Sequence, residues 1–281
     1  MKIAVISDIH SNLIALQQGL DYLDDKGMEE YIFLGDYITD GYQDNEVIEK
    51  IKNVSTHAIS GNRDRINSSD LPSPLPVNFR PQAWTLKHLN KRSTKYLQEL
   101  PTFKLIEYEG VRFLFIHGDN PLIRKPLEDT FDELIEMEEF DVCIMGHIHR
   151  HFDLSYKGKR FINASSLGLP ADGPDYKLLI INIGEVIDVE VVSLPIADTF
   201  DSLCEEYQNS NYFENHKEWG TLVLDSIAYG ISAQDIFFKI VKKLLKENSK
   251  SSIDEVWDEA FNVYISTNSS TYNTIMSSRK E

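Results

Sequence analysis

The chain has 281 residues, with 45 acidic and 28 basic side chains and a formal net charge of −17. This acidity argues against a protein that holds long nucleic acid through phosphate contacts, although small phosphorylated ligands could still bind where metal cations supply positive charge. No apolar run is long enough for a membrane span, Asp8 comes too early for a signal peptide, and two cysteines indicate no disulfide framework, so we expect a soluble cytoplasmic protein.

Strand and helix patterns alternate in the first part of the chain. Apolar runs at 2–6, 31–34 and 54–60 predict three buried strands. The first is followed by a helix capped by Ser11 or Asn12, and the second by a helix with apolar residues at 47, 48 and 51. This alternation is typical of a mostly parallel sheet.

The middle of the chain adds hairpins. After a Ser- and Pro-rich surface loop at 67–80, the pattern predicts one helix from about Pro81 to Glu99. Hairpins are predicted at 103–116, 152–163 and 178–192, with a helix near 127–135 and a strand at 142–145 between the first two. The chain thus begins parallel and ends antiparallel, which favours two sheets packed face to face with helices outside.

Only helical patterns follow residue 196. They lie near 200–207, 219–229, 236–245 and 253–265, and a frayed tail rich in Ser, Thr and Asn is expected at 266–281. We therefore predict a domain at 1–196 and a helical extension at 197–281. The extension is either a cap over the site or the contact of a homodimer.

Residue types that bind metals follow five of the predicted strands. The motifs are Asp8-x-His10, Gly35-Asp36, Gly61-Asn62, His117-Gly118 and Gly146-His147-x-His149. In extended chain, residues i and i+2 point to the same side, so His147 and His149 can face one pocket. Carboxylate, imidazole and amide ligands without thiolate suit Mn, Fe or Zn. Seven ligands fit two ions better than one, with Asp36 as a bridge.

A pair of metal ions suits the hydrolysis of a phosphate ester or anhydride. Two ions about 3.5–4 Å apart lower the pKa of a bridging water and clamp the phosphoryl group. The sequence therefore predicts a hydrolase in which a bridging hydroxide attacks phosphorus without a covalent enzyme intermediate.

The five motifs, in this order, resemble the calcineurin-like metallophosphoesterase superfamily over residues 1 to about 195. The resemblance implies an α/β fold, a four-layer α/β/β/α sandwich with a dinuclear site at the loop ends between the sheets. It also implies two ligand sets that share one carboxylate: Asp8, His10, Asp36 and His149 for one ion, and Asp36, Asn62, His117 and His147 for the other. The segment Asn163–Gly168 is similar to the family's Asn-Pro-Gly-Ser segment.

Within the superfamily, the chain is most similar to small bacterial phosphodiesterases and diadenosine polyphosphate hydrolases. This implies a nucleotide phosphoanhydride or phosphodiester as substrate. The residues assigned to catalysis are Asn62, Arg63, Asp64 and His117. Asn12, Asn62 and Arg63 are assigned to substrate binding, although helix capping is an alternative role for Asn12.

Arg63 departs from the family pattern. Many members have a histidine here, which protonates the leaving group, whereas a guanidinium keeps its proton near neutrality. Arg63 can instead bind phosphate, so we expect leaving groups that need little protonation. A salt bridge from Arg63 to Asp40 or Asp64 is the structural alternative, and Asp64 is expected to anchor Arg63 or a ligand histidine.

Two other functions remain open at this stage. One is a phosphoprotein phosphatase of the same fold. The other is a non-catalytic interaction module whose working surface is the set of C-terminal helices.

Overall fold

The computed structural model describes residues 1–119 and 127–267, and these residues form strands and helices in alternation. The strands within them are β1 (Lys2–Ile6), β2 (Glu30–Phe33), β3 (His57–Ala58), β4 (Phe103–Tyr108), β5 (Val111–Ile116), β6 (Val142–Met145), β7 (His151–Tyr156), β8 (Lys159–Ala164), β9 (Asp175–Ile183) and β10 (Ile187–Pro195). The helices within them are α1 (Leu13–Leu23), α2 (Asp44–Val54), α3 (Arg80–His88), α4 (Lys91–Glu99), α5 (Leu127–Met137), α6 (Phe200–Gln208), α7 (Asn211–Asn215), α8 (Lys217–Tyr229), α9 (Ala233–Glu247) and α10 (Trp257–Thr267).

The strands form two five-stranded sheets, and both are mixed. The first has the order β10-β9-β1-β2-β3, with β1, β2 and β3 parallel and β9 antiparallel to β1. The second has the order β4-β5-β6-β8-β7, with a parallel centre and antiparallel edges. The chain thus begins with parallel strands and ends with antiparallel hairpins, as expected. The last hairpin does not belong to the second sheet, because the late strand β9 joins the first sheet beside β1.

The sheets pack face to face, and helices cover their outer faces. Val5 and Ile32 of the first sheet share a buried cluster with Phe113 and Ile144 of the second. On the far side of the first sheet lie α1, α2 and the C-terminal helices, and α5 packs against the far side of the second. Burial of both faces of each sheet produces the predicted four-layer α/β/β/α arrangement.

Two predicted elements are shorter than expected. The strand predicted at 54–60 is reduced to β3, because α2 continues through Val54 and the backbone N–H of Ser60 turns away to donate to the carbonyl of Pro101 at 2.8 Å. The helix predicted at 81–99 is divided into α3 and α4. Asn90 divides it, since its side-chain oxygen accepts from the backbone N–H groups of Arg92 and Ser93 and begins a new helix.

The C-terminal helices pack against the first layer of helices. Tyr207, Leu222 and Phe237 belong to the same buried cluster as Leu16 and Val47. The division at 196 stays a prediction, and residues 268–281 of the expected frayed tail lie outside the described residues. None of the helices described combines the length and apolar character that crossing a membrane requires.

Asp44, at the start of α2, provides a prediction about stability. Its Oδ1 accepts from the Ser11 hydroxyl and from the Thr39 backbone N–H, whereas its buried Oδ2 has no partner. Burial raises the pKa of Asp44 from 3.8 to about 6, despite these hydrogen bonds. The native state therefore favours the protonated form of Asp44. The contribution of this form to the free energy of unfolding is lost as the pH rises through the native pKa.

The free energy of unfolding of Asp44→Asn, relative to that of the parent, is expected to rise by about 2 to 3 kcal/mol when the pH is raised from 4 to 8. This follows because one pKa unit is worth about 1.4 kcal/mol. Urea unfolding of both proteins in chelator at the two pH values measures this change. Glu49→Gln, which removes an exposed carboxylate from the same helix, should show no such trend. A pH-independent difference between Asp44→Asn and the parent would contradict the assignment.

Candidate metal centre

The predicted ligands converge where five strands end. Asp8 and His10 follow β1, Asp36 follows β2, and Asn62 lies four residues beyond β3 in the same sheet. From the second sheet, His117 follows β5 and the pair at 147 and 149 follows β6. The site therefore lies at the carboxyl ends of the central parallel strands, where open α/β layers place their chemistry.

Six of the ligands form two adjacent groups. The groups are Asp8, His10 and His149, and Asp36, His117 and His147, and within each group the potential ligand atoms lie within 4.8 Å of one another. In the first, His149 Nε2 is 3.1 Å from Asp8 Oδ1, and in the second His117 Nε2 is 3.4 Å from Asp36 Oδ1. His10 Nε2 lies 3.9 Å from Asp36 Oδ2, so Asp36 reaches both groups, as predicted for a bridging ligand.

Three buried ligand atoms make no hydrogen bond with the residues that the structure describes. They are Asp8 Oδ1, Asn62 Oδ1 and His117 Nε2, although the first and last lie at ion-pair distances from His149 and Asp36. Leaving a buried polar atom without a hydrogen bond costs about 1 to 3 kcal/mol. They belong to the predicted ligand sets and are oxygen and imidazole nitrogen donors, so these residues fit bound cations.

The backbone is turned sharply at the ligands themselves. Asp8, His10, Asp36, His147 and His149 have φ values of 55°, 48°, 54°, 71° and 56°. Non-glycine residues rarely adopt this left-handed conformation, and such strain is concentrated at functional sites. The turns direct side chains from separate strands into one place.

Two glycines allow the loops to approach the carboxylates. A Cβ atom on Gly61 would lie 2.2 Å from Asp36 Oδ1, and one on Gly146 would lie 2.5 Å from Asp8 Oδ2. Any side chain at either position would displace a ligand. The motifs Gly61-Asn62 and Gly146-His147 therefore contain glycine for steric reasons.

Hydrogen bonds on the far side of the rings orient the histidines. His117 Nδ1 lies 2.8 Å from the carbonyl of Leu34, and His149 Nδ1 lies 2.6 Å from the carbonyl of Leu169. Since a carbonyl only accepts, each Nδ1 carries the hydrogen. Nε2 of each ring is thereby directed toward the site.

Asp40 orients the third ring and connects it to the C-terminal helices. Its Oδ2 lies 2.9 Å from His10 Nδ1, and its Oδ1 accepts from Trp219 Nε1 at 2.8 Å. Tyr207 donates to the Asp40 carbonyl at 2.5 Å. Burial opposes ionisation, but Arg63 and the bonds from His10 and Trp219 hold the pKa of Asp40 well below its usual range.

The carboxylates and imidazoles of the site stabilise each other's charged forms. Burial opposes the charge on Asp36, but His117 and Arg63 help to keep its pKa well below the ordinary value. Burial likewise opposes the charge on His117, yet Asp36 and Asp8 raise the pKa of His117 to about 10. Since a ligand imidazole must be neutral, cation binding releases this proton.

Two of the residues predicted to bind substrate, Asn12 and Arg63, make hydrogen bonds within the protein. Asn12 caps α1 by accepting from Ala15 N–H at 3.0 Å, and its amide donates to the Gly168 carbonyl at 3.0 Å, which supports the capping alternative. Arg63 donates its backbone N–H to Asp36 Oδ1 at 2.7 Å, which places it at the site.

Asp64 does not have the contacts expected of it. Its carboxylate accepts from the backbone N–H groups of Asp36, Tyr37 and Gly61 at 2.8 to 3.0 Å. It therefore fixes the loops after β2 and β3, and the expectation that it anchors Arg63 or a ligand histidine is corrected. Burial, together with the charge of Asp36, raises the pKa of Asp64 to about 7.

Comparison with known proteins agrees with this geometry. Residues 1–185 match the model of the calcineurin-like phosphoesterase superfamily domain. The chain belongs to this family. The calcineurin-like phosphoesterases depend on a dinuclear metal centre, and the chain accordingly is a metal-dependent phosphoester hydrolase whose two ligand groups provide the candidate metal sites.

Two archaeal relatives align with much of the calcineurin-like domain. MJ0912, an uncharacterized protein of Methanocaldococcus jannaschii, is 30% identical over an alignment of 190 residues, and the alignment covers 61% of this chain and 78% of that protein. MJ0936 of the same organism, named a phosphodiesterase, is 23% identical over 151 residues, which are 53% of this chain and 74% of that protein.

Solved structures show the same fold. A metallophosphoesterase from Sphaerobacter thermophilus superposes with a TM-score of 0.56 at 23% identity, covering 73% of this chain and 94% of that one. Hypothetical protein PH1004 from Pyrococcus horikoshii superposes with a TM-score of 0.59 at 17% identity, covering 82% of this chain and 98% of that one. The calcineurin-like fold is thus present despite low identity.

Proposed function

We propose that the enzyme hydrolyses small nucleotide phosphodiesters or phosphoanhydrides, with diadenosine polyphosphates favoured, using two Mn, Fe or Zn ions. The observation that carries this proposal is the pair of adjacent ligand groups, Asp8 with His10 and His149, and Asp36 with His117 and His147. The name of the archaeal phosphodiesterase relative supports the phosphodiester class. The net charge of −17 disfavours a phosphorylated substrate by itself, but bound cations would supply the local attraction.

When bound, the two ions supply a water of lowered pKa and positive charge toward the phosphoryl oxygens. The protein's own groups then position the substrate. Arg63 is held beside the site by its backbone bond to Asp36, and its guanidinium lowers the pKa of both Asp36 and Asp40. A guanidinium here can bind phosphoryl oxygens in two-pronged fashion and offset transition-state charge.

Arg63 also determines which leaving groups depart readily. Because it keeps its proton near neutrality, an alkoxide leaving group would receive none from this position. A nucleoside phosphate released from an anhydride, or an activated aryl oxide, needs no such proton. We therefore infer that anhydrides and aryl esters are cleaved faster than alkyl diesters.

The Arg63→His variant tests this preference. An imidazole can protonate the leaving group. We therefore expect the variant's rate on alkyl phosphodiesters, divided by its rate on diadenosine polyphosphate, to rise at least about tenfold. This threshold is set below the usual contribution of general acid catalysis. Initial rates on both substrates in Mn measure the ratio. Arg63→Gln, which removes the cation without adding a proton donor, should not raise it. An unchanged ratio in Arg63→His would contradict the assignment.

A substrate panel tests the proposed substrate class. Dinucleoside polyphosphates, cyclic nucleotides, aryl phosphodiesters and phosphopeptides are compared in Mn and in chelator. We expect the highest kcat/KM with a nucleotide substrate, and no turnover of any substrate in chelator. A preference for phosphopeptides would instead identify a phosphoprotein phosphatase.

A further inference from the structure

A second cleft lies between α3 and α7. Its volume is about 520 Å³, within the usual range for small-molecule sites. The lining residues are Arg80, Ala83, Trp84, Lys87, His88, Asn211, Asn215 and His216. None of them is a ligand of the metal centre, and the cleft has no role in the mechanism above.

The cleft is positively charged on an acidic protein. No acidic side chain is among its lining residues, although the chain has a net charge of −17. Arg80 and Lys87 project from the same face of α3. The nearest paired carboxylate is Asp254, an exposed group 3.6 Å from Arg80 at the rim, and exposed pairs of this kind contribute little.

An ordered aromatic wall borders the cations. The rings of Trp84 and His88 are stacked, with centroids 3.8 Å apart, and the Tyr212 ring meets Trp84 edge-on at 5.1 Å. His88 Nδ1 lies 2.7 Å from the carbonyl of Trp84 and so carries the hydrogen. The ring is thereby fixed, and its Nε2 is left for another partner.

His216 supplies an unpaired polar atom. The residue lines the cleft, and its buried Nε2 finds no hydrogen-bond partner in the part of the chain that the structure describes. Burial, with repulsion from Arg80 and His88, lowers the pKa of His216 to about 4. The imidazole is therefore neutral at pH 7. It lies beside Arg80, whose carboxylate partner is the exposed Asp254, and in the same cleft as Lys87, which has no ion pair among the described residues.

We propose that this cleft binds the phosphate group of a small organic phosphate, at a site separate from the metal centre. Arg80 and Lys87 provide charge-assisted donors, which are the strong hydrogen bonds to phosphate. The volume accommodates a nucleoside monophosphate, whose planar base has the wall of Trp84 and His88 beside it. The cleft is also connected to the metal centre through two tyrosines. Tyr212, beside the cleft, packs against Tyr207, which donates to the Asp40 carbonyl.

Calorimetric titration of the Mn-loaded enzyme with AMP tests the site. We expect two AMP molecules per chain in the parent, one at the metal centre and one in the cleft. In the Arg80→Gln/Lys87→Gln variant the affinity for the second AMP should fall at least about thirtyfold, because both charged donors to the phosphate are lost. Basal turnover should not change.

Controls separate cleft binding from a general charge effect. Lys91→Gln/Arg92→Gln removes the same charge from exposed positions at the start of α4 and should retain both events. Inorganic phosphate should compete for the cleft and adenosine should not. One AMP per chain in the parent, an unchanged second event in Arg80→Gln/Lys87→Gln, or equal competition by adenosine would overturn the proposal.

Discussion

Replacing Asp36 with asparagine is expected to lower kcat/KM on any phosphate ester at least about a thousandfold, which corresponds to about 4 kcal/mol of lost transition-state stabilisation. Asp36 is the carboxylate that reaches both ligand groups, with Oδ1 3.4 Å from His117 Nε2 and Oδ2 3.9 Å from His10 Nε2. A neutral amide offers one oxygen in place of two and no charge, so it cannot bridge two cations. Metal content should fall below two ions per chain.

The same variant separates chemistry from folding. Asparagine has the shape of aspartate, and the backbone N–H of residue 36 still donates to Asp64, so the variant should fold. Loss of the buried pair with His117 should lower the unfolding midpoint of the metal-free protein in urea, but the transition should remain cooperative. Asp25→Asn, at an exposed position after α1, should keep full activity. A folded Asp36→Asn protein that hydrolyses phosphates as fast as the parent would refute the bridging role.

Replacing Asp40 with asparagine is expected to weaken binding of one Mn ion by about 10- to 100-fold, the usual effect of losing a partner of a ligand histidine. Asp40 accepts from Trp219 Nε1 and lies 2.9 Å from His10 Nδ1. Asparagine has one acceptor and one donor, so one of these N–H groups would face another donor. The affected ion should be the one proposed to bind Asp8, His10 and His149.

The contribution of the C-terminal helices can be measured through the same contact. Trp219→Phe keeps most of the ring but removes the hydrogen bond to Asp40, so we expect a smaller loss in affinity for the same ion. Trp257 is the matched control, because its Nε1 has no hydrogen-bond partner among residues 1–119 and 127–267. Mn titration followed by electron paramagnetic resonance measures both. Equal effects of the two substitutions would show that Trp219 acts only by packing.

The ligands of the metal centre are predictable because their signal is local. Each is a polar residue directly after an apolar run, and parallel strands bring their carboxyl ends to one edge. The same local signal places Asp36 after the second strand, where its carboxylate reaches both ligand groups. The sharp turns at Asp8 and His147 are less visible, since nothing in an aspartate or histidine specifies a positive φ.

Contacts between distant segments were not predictable. The Asp40–Trp219 bond joins residues 179 positions apart, and an amphipathic helix gives no indication of which loop its indole will reach. The sequence predicts that Asp64 anchors Arg63 or a ligand histidine, but its carboxylate oxygens accept from backbone groups that only the folded loops bring together. The break at Asn90 had a local signal, a capping residue, which the longer apolar pattern concealed.

Crystals of the protein equilibrated with Mn and measured at the manganese absorption edge would test the metal centre directly. The two ligand groups predict two anomalous peaks per chain about 3.5 to 4 Å apart, one beside Asp8, His10 and His149 and the other beside His117 and His147, with Asp36 between them. No peak at these residues, or one ion that contacts only one group at saturating Mn, would contradict a dinuclear phosphoesterase.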